Sequence, residues 1–287
     1  MAGAEGRVHG GGQLSPRRLI VNADDFGLVP SVNRGIVEAI EGGVVTSTSL
    51  MVNMPGTEDA VARLRALSRR GLSPSVGLHF NIVAGSPLSH CPTLARSGRF
   101  HNLGTLVARS LFGRIDERDV EAELEAQLAR AAQLLDPLGL HMTHIDSHRH
   151  AHCLPGVLRV VRRIARAHGI GHVRHSVELA RTLLRRPRAL LAVWLLRIMT
   201  RREAPADDIA FAGLALMGSP TFERSLLTLA ERLGEGTTEL MVHPGYDSPE
   251  LATLDPYRAP REREVRALTA PALRARLRQL GIELAHF

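Results

Sequence analysis

The sequence predicts an α/β protein: a single parallel (β/α) barrel of distorted form. Three observations predict it. Short β-branched apolar runs alternate with amphipathic runs of helical length, the pattern of right-handed βαβ units and a mainly parallel sheet. Eight runs read as strands, with helices between most of them, which favours a barrel over an open sheet. No internal repeat or second linker divides the 287 residues. Residues 1–17 read as a flexible Gly-containing extension. Residues 18–287 read as one domain, with a helical insert at about 179–203.

The elements follow in order. RRLIVNAD is strand-like. SVNRGIVEAIEGG places Val32, Ile36, Val37 and Ile40 on one helical stripe and stops at Gly42-Gly43. VVTSTSLMVN is a strand, and TEDAVARLRALSRRG is a helix with Thr57 as N-cap candidate and Gly71 as its stop. SVGLHFNI is the third strand. RDVEAELEAQLARAAQLL is a strongly amphipathic helix. HMTHIDSH is a strand, and PGVLRVVRRIARAHG is a helix opened by Pro155 and closed by Gly169. GHVRHSVE, ADDIAFAG, TELMVHPG and IELAHF supply the remaining strands. Between the last two runs a helix, REREVRALTAPALRARLRQLG, is broken at Pro271; its Arg261, Glu262 and Glu264 read as a solvated helix start or an interface. The stretch Leu179–Arg202 breaks the rhythm. It brackets an apolar core with Arg clusters and holds the only Trp, Trp194. It reads as a helical pair packed on the barrel, or as an interfacial helix or lid that touches lipid.

Composition excludes some chemistry. All 36 basic residues are Arg, so no Lys exists to form a Schiff base or to serve a P-loop. The net charge of +7 comes from Arg spread over many helices without interleaved aromatics, which argues against nucleic acid as a partner. Cys91 and Cys153 lack metal-pair spacing and read as free thiols of a reducing compartment. The first residues carry no apolar secretory segment, and no apolar run is long enough to span a bilayer. The expected location is the cytoplasm, with peripheral contact at the inner membrane through 179–203.

In parallel α/β folds the C-terminal ends of strands carry the chemistry, and the polar anomalies of this sequence gather there. The first strand ends in Asn22, Asp24 and Asp25, the third in His79, the fourth in THIDSHRHAH, and a later one in His243. Two adjacent carboxylates repel each other unless a positive group joins them. If THIDSHRHAH stays extended, His144, Asp146, His148, His150 and His152 share one face, and Arg149 points away from it. Imidazoles around a carboxylate suit a divalent cation, with Asp146 orienting a ring nitrogen. The set suggests one carboxylate and two imidazoles on one metal ion, with open positions for water and substrate. One Asp of the pair can bind the ion while the other stays free as a base. The donor types suit Zn, Co, Mn, Ni, Fe or Mg; Mg or Zn heads the expectation.

The stretches LIVNADDFGL, VTSTSLMVN, GLHFN, THIDSHRHAH and MVHPGYDS stand in the order seen in the YdjC-like carbohydrate deacetylases. The resemblance runs from about Arg18 to near the C-terminus. It implies a distorted (β/α) barrel of the glycoside hydrolase/deacetylase type and metal-dependent removal of an N-acetyl group from an amino sugar, as in chitooligosaccharide and hopanoid-associated deacetylases. It also implies Asp25, His79 and His148 as metal ligands, Asp24 as general base, and His243 as acid or substrate contact. Asn22, Asp146, His150 and His152 are the candidates for orienting ligands or touching substrate. The family often carries three consecutive His after the Asp-Ser; here Arg149 takes the middle place. An N-acetylated amino sugar is the expected partner, and a homodimer is allowed. Two other readings compete: a phosphoesterase holding two or three metals on a similar barrel, and a carbohydrate-binding protein without catalysis.

Overall fold

The computed structural model describes residues 16–178, 187–201 and 207–287. Most of the expected 1–17 extension lies outside them, as do 179–186 and 202–203 of the expected insert. The strands are β1 (Arg17–Phe26), β2 (Ser47–Leu50), β3 (Ser75–Phe80), β4 (Ala95–Arg96), β5 (Arg99–Phe100), β6 (Met142–Ser147), β7 (His172–Val173), β8 (Ala210–Ala212), β9 (Gly236–Val242) and β10 (Ile282–Leu284). The helices are α1 (Pro30–Glu41), α2 (Thr57–Arg69), α3 (Leu103–Leu111), α4 (Glu117–Leu135), α5 (Val157–Ala167), α6 (Pro187–Thr200), α7 (Phe222–Glu231), α8 (Pro249–Leu254), α9 (Ala259–Thr269) and α10 (Pro271–Gln279). All eight predicted strands form. The hairpin β4–β5 and the helices α3 and α8 carried no sequence prediction.

The main sheet runs β7-β6-β3-β2-β1-β9-β8, with every pairing parallel. β10 shares one edge of β1 with β2. It pairs Arg17–Leu19, and β2 takes the same edge from Asn22 onward. Arg17 is therefore already part of the sheet, one residue ahead of the expected domain start. Among the described residues the end strands β7 and β8 do not pair, so the sheet curls as a distorted barrel with an open seam.

Strand alternation sorts the side chains into two layers. Val21, Ala23, Leu50, Val76, Leu78, Phe80, Ile145, Leu240 and Val242 belong to the apolar core, which the helices cover. Val32, Ile36, Ala39 and Ile40 of α1 and Val157, Val160, Val161 and Ile164 of α5 bury their stripes there. The opposite face of the strands, inside the curl, is polar: Asn22, Asp24, Ser49, His79, His144, Asp146 and Glu239 are all buried. Barrel interiors are usually filled with branched aliphatic residues. Here the interior is a hydrogen-bonded network that leads up to the site.

Candidate active site

Asp24 and Asp25 end β1, and a regular strand would send them to opposite faces. Asp25 instead sits at φ 68°, a left-handed conformation that Asp tolerates better than most residues. The β1–β2 register shifts between Ala23 and Phe26, as a bulge requires. The bulge turns both acids to the same cavity. Asn33 on α1 accepts a hydrogen bond from Gly27 N at 2.7 Å and so holds the turn behind them.

Around Asp25 the geometry is that of a ligand cluster. Its Oδ1 lies 2.8 Å from His148 Nδ1 and 3.2 Å from His79 Nε2. The donor atoms of Asp25, His79 and His148 lie within 4.8 Å of one another. His79 arrives from β3, and its Nδ1 lies 2.7 Å from Asp146 Oδ1 on β6. That contact fixes the ring and aims Nε2 at Asp25. Burial works against charge on His79, yet Asp146, Asp25 and Asp24 raise its pKa to about 10, so the field at Nε2 favours a positive charge. The second oxygen of Asp25 accepts from Arg261 Nη2 at 2.6 Å. Despite burial, His148 and Arg261 hold the Asp25 carboxyl well below the usual carboxylate range. His148 Nε2 and His243 Nδ1 are buried without a hydrogen-bond partner. One carboxylate oxygen and two imidazoles suit a divalent cation that keeps open positions, and the residues present fit such an ion.

Asp24 is occupied differently. Arg174 grips it with two nitrogens, Nη1 on Oδ2 at 2.6 Å and Nη2 on Oδ1 at 2.7 Å. Asn22 donates a further bond to Oδ1 at 2.9 Å. Burial raises the Asp24 pKa, but the charge and hydrogen bonds of Arg174 outweigh it, and the group stays ionised. Arg174 also lies 2.6 Å from both Asp146 Oδ2 and Glu239 Oε1, and Ser49 donates to Asp146 at 2.7 Å. Asp24, His79 and Asp146 form a second cluster of metal-ligating types, but the Arg174 guanidinium already pairs with both of its acids.

Asp24, Asp25, His79 and His148 line a cavity of about 270 Å³ with Leu103, Ser147, Arg149, His150, Met217, Met241, His243, Asp255, Pro256 and Tyr257. Glu264 accepts from His243 N at 2.6 Å and from Tyr257 Oη. Gly218 N donates to Tyr257 Oη at 2.8 Å. The expected solvated helix start is corrected here. Arg261 and Glu264 are buried against the site, and only Glu262 faces outward, paired with Arg266.

The extended reading of THIDSHRHAH holds only to Ser147. From His148 the chain turns, and Arg149 and His150 both adopt φ 55°. Alternation therefore fails, and Arg149, expected to point away, lines the cavity with its guanidinium 3.6 Å from Asp255. His150 also lines it, its Nδ1 2.9 Å from Ser176 Oγ. His152 is turned aside. Its ring bonds Ser147 Oγ and the Arg174 carbonyl, which fastens the turn to the strand after β6. His144 lies deeper in the curl, stacked on Phe287 at 4.0 Å. Sequence reasoning passed over Arg174 and Tyr257, and it named Arg261 and Glu264 without placing them in the site. Arg174 was findable, because it stands inside the predicted strand GHVRHSVE, where a charged residue is itself an anomaly; the structure ends that strand, β7, at Val173. Arg261 lies in a helix whose charged spelling gives no sign of burial.

A family model described as YdjC-like protein matches residues 18–279. The chain belongs to the YdjC-like family. Among relatives of this YdjC-like protein, a carbohydrate deacetylase of Geobacillus stearothermophilus is 35% identical over 94% of this chain and 96% of its own. A carbohydrate deacetylase of Homo sapiens is 37% identical, covering 93% of this chain and 89% of its own. A chitooligosaccharide deacetylase of Serratia marcescens is 35% identical over 94% and 97%. A crystal structure from Enterococcus faecalis, of a candidate cellobiose-phosphate cleavage protein, superposes with a TM-score of 0.71 at 24% identity, covering 95% of this YdjC-like chain and 98% of the other. That likeness establishes the distorted-barrel fold.

Proposed function

We propose that this YdjC-like protein is a metal-dependent hydrolase that removes the N-acetyl group from an N-acetylated amino sugar. The observation that carries the reading is the division of labour at the end of β1. Asp25 shares one oxygen with two imidazoles, while Asp24 is locked beside it by Arg174. The deacetylase relatives support the same chemistry. Asp25, His79 and His148 would hold one divalent cation, Mg or Zn, which when bound polarises the acetyl carbonyl and lowers the pKa of water.

The remaining work falls to the chain's own groups. Arg174 and Asn22 take both acceptor sites of Asp24 Oδ1 and one on Oδ2. The remaining lone pair on Oδ2 takes the proton of the attacking water. His243, on the cavity wall with an unpartnered ring nitrogen, gives a proton to the leaving amine, a role suited to imidazole near neutral pH. Met217, Met241 and Tyr257 supply apolar surface for the acetyl methyl and the sugar face. The cavity is at the small end of ligand pockets and suits a single terminal sugar residue. A chitooligosaccharide and a lipid-linked glucosamine such as a glycosyl hopanoid both present one, and acetate release from each separates them.

Asp24→Asn tests the assignment. It should lower kcat by roughly 10²–10⁴-fold while metal content by elemental analysis stays at one ion per chain. His148→Ala should lose the ion. Wild-type turnover in Asp24→Asn, or full activity after exhaustive chelation, would overturn the mechanism. Two ions per chain would favour a phosphoesterase instead, and Arg174 on the second cluster argues against that count.

A further inference from the structure

We propose that the outer face of α6 docks on an anionic lipid surface and brings the mouth of the cavity to it. This goes beyond the hydrolase reading and does not depend on it. A surface helix normally turns polar residues outward. α6 is apolar on both sides. Val193 and Leu196 face inward and pack with Cys153, Phe211, Leu214 and Met241, and Met241 lines the cavity. On the outer side Leu190, Leu191, Trp194, Leu195 and Ile198 are 48%, 57%, 58%, 45% and 41% exposed. They recur at the spacing of one helical face.

Charge identifies the occupant. No Asp or Glu stands between Glu178 and Glu203, whereas Arg197 and Arg201 are exposed along α6 and at its end. An apolar face bordered by Arg, with a Trp in it, matches the headgroup boundary of a bilayer with negative charge. A second copy of this chain across a two-fold axis would instead bring like-charged faces together. At 14 residues the helix measures about 21 Å, too short to cross the hydrocarbon core, and no described helix is long and apolar enough to do so. It therefore lies in the surface. A second apolar tip is tied to the same segment of chain. Leu111 and Phe112 at the end of α3 are 63% and 74% exposed, and Ser110 just before them donates to the Pro155 carbonyl. Both patches adjoin the His148–Pro155 segment, whose first residues, His148, Arg149 and His150, line the cavity.

Trp194 is the only Trp in the chain, so its emission reads this contact directly. Vesicles of phosphatidylcholine containing phosphatidylglycerol should shift the emission to the blue and carry the protein in flotation. Pure phosphatidylcholine vesicles should do so weakly, and added salt should weaken the effect. Leu191→Asp with Ile198→Asp should lower partitioning by roughly tenfold or more while thermal unfolding stays as in wild type. Unchanged emission with both vesicle types would overturn the proposal. So would equal binding to neutral and anionic vesicles, or a dimer in sedimentation that shields Trp194 and is lost in the double variant.

Discussion

Asp24 and Asp25 are neighbours in the chain with opposite occupations, and two arginines from distant elements set them apart. Arg174 spans both oxygens of Asp24; Arg261 touches only Oδ2 of Asp25 and shares itself with Asp255 at 2.9 Å. Arg261 thus leaves Asp25 Oδ1 as the single oxygen facing the imidazoles. Breaking a buried ion pair by removing one partner costs about 3–5 kcal/mol, because the other charge stays buried. Arg261→Met should therefore lower the unfolding free energy of the metal-free protein by about that amount in urea denaturation. A divalent ion, supplying charge next to the same carboxylate, should then stabilise the variant more than it stabilises wild type. Equal stabilisation of the two by Mg or Zn would show that Arg261 does not share the Asp25 charge. The acids and His79, His148 and His243 were legible because strand ends with polar residues are anomalous. Arg261 was not, since one Arg in an Arg-rich helix carries no signal of burial.

The elements were legible where periodicity is long and lost where it is short. The helical runs of α4 and α5 and the apolar run of β1 are long, and the structure places those elements where the sequence does. β7 and β8 are reduced to two and three residues, each laddered on one side only, to β6 and β9. The turn after Ser147 was misread because nothing in HRHAH announces two left-handed residues in succession. Inside the strands a glycine explains how His144 fits the interior. A Cβ on Gly77 of β3 would lie 2.4 Å from His144 Nε2. The ring cannot easily retreat: it stacks on Phe287, and its Nε2 lies 3.3 Å from Ser49 Oγ. Gly77→Ala should destabilise by about 1–3 kcal/mol through overpacking. Its cost should shrink when combined with His144→Ala, a coupling that a double-mutant cycle in urea measures. Additive costs would mean that the strand backbone, not the ring, fixes the glycine.

For the molecule as a whole, the seam between β7 and β8 is the feature that no local pattern reveals, because strand order and closure depend on residues far apart in the chain. Side chains close it. His172 on β7 contacts Asp207, just before β8, and Glu239 on β9 at 3.4 Å; Arg174 adds its bond to Glu239 at 2.7 Å. Burial works against a charged His172, but its hydrogen bonds to Asp207 and Glu239 prevail and raise its pKa from 6.5 to about 9. A group whose folded pKa is raised stabilises the fold fully below its unfolded pKa and loses that contribution as pH rises through the folded value. The seam should therefore be strongest below about pH 6.5 and weaken toward pH 9, with a contribution on the order of 2–3 kcal/mol. In His172→Gln this slope should be absent. The difference in melting temperature between wild type and variant, in which the titration of every other group is common to both, should be several degrees at pH 6 and close to zero at pH 10. A difference that holds constant across that range would mean that His172 gains no proton on folding and supports the seam as a neutral ring.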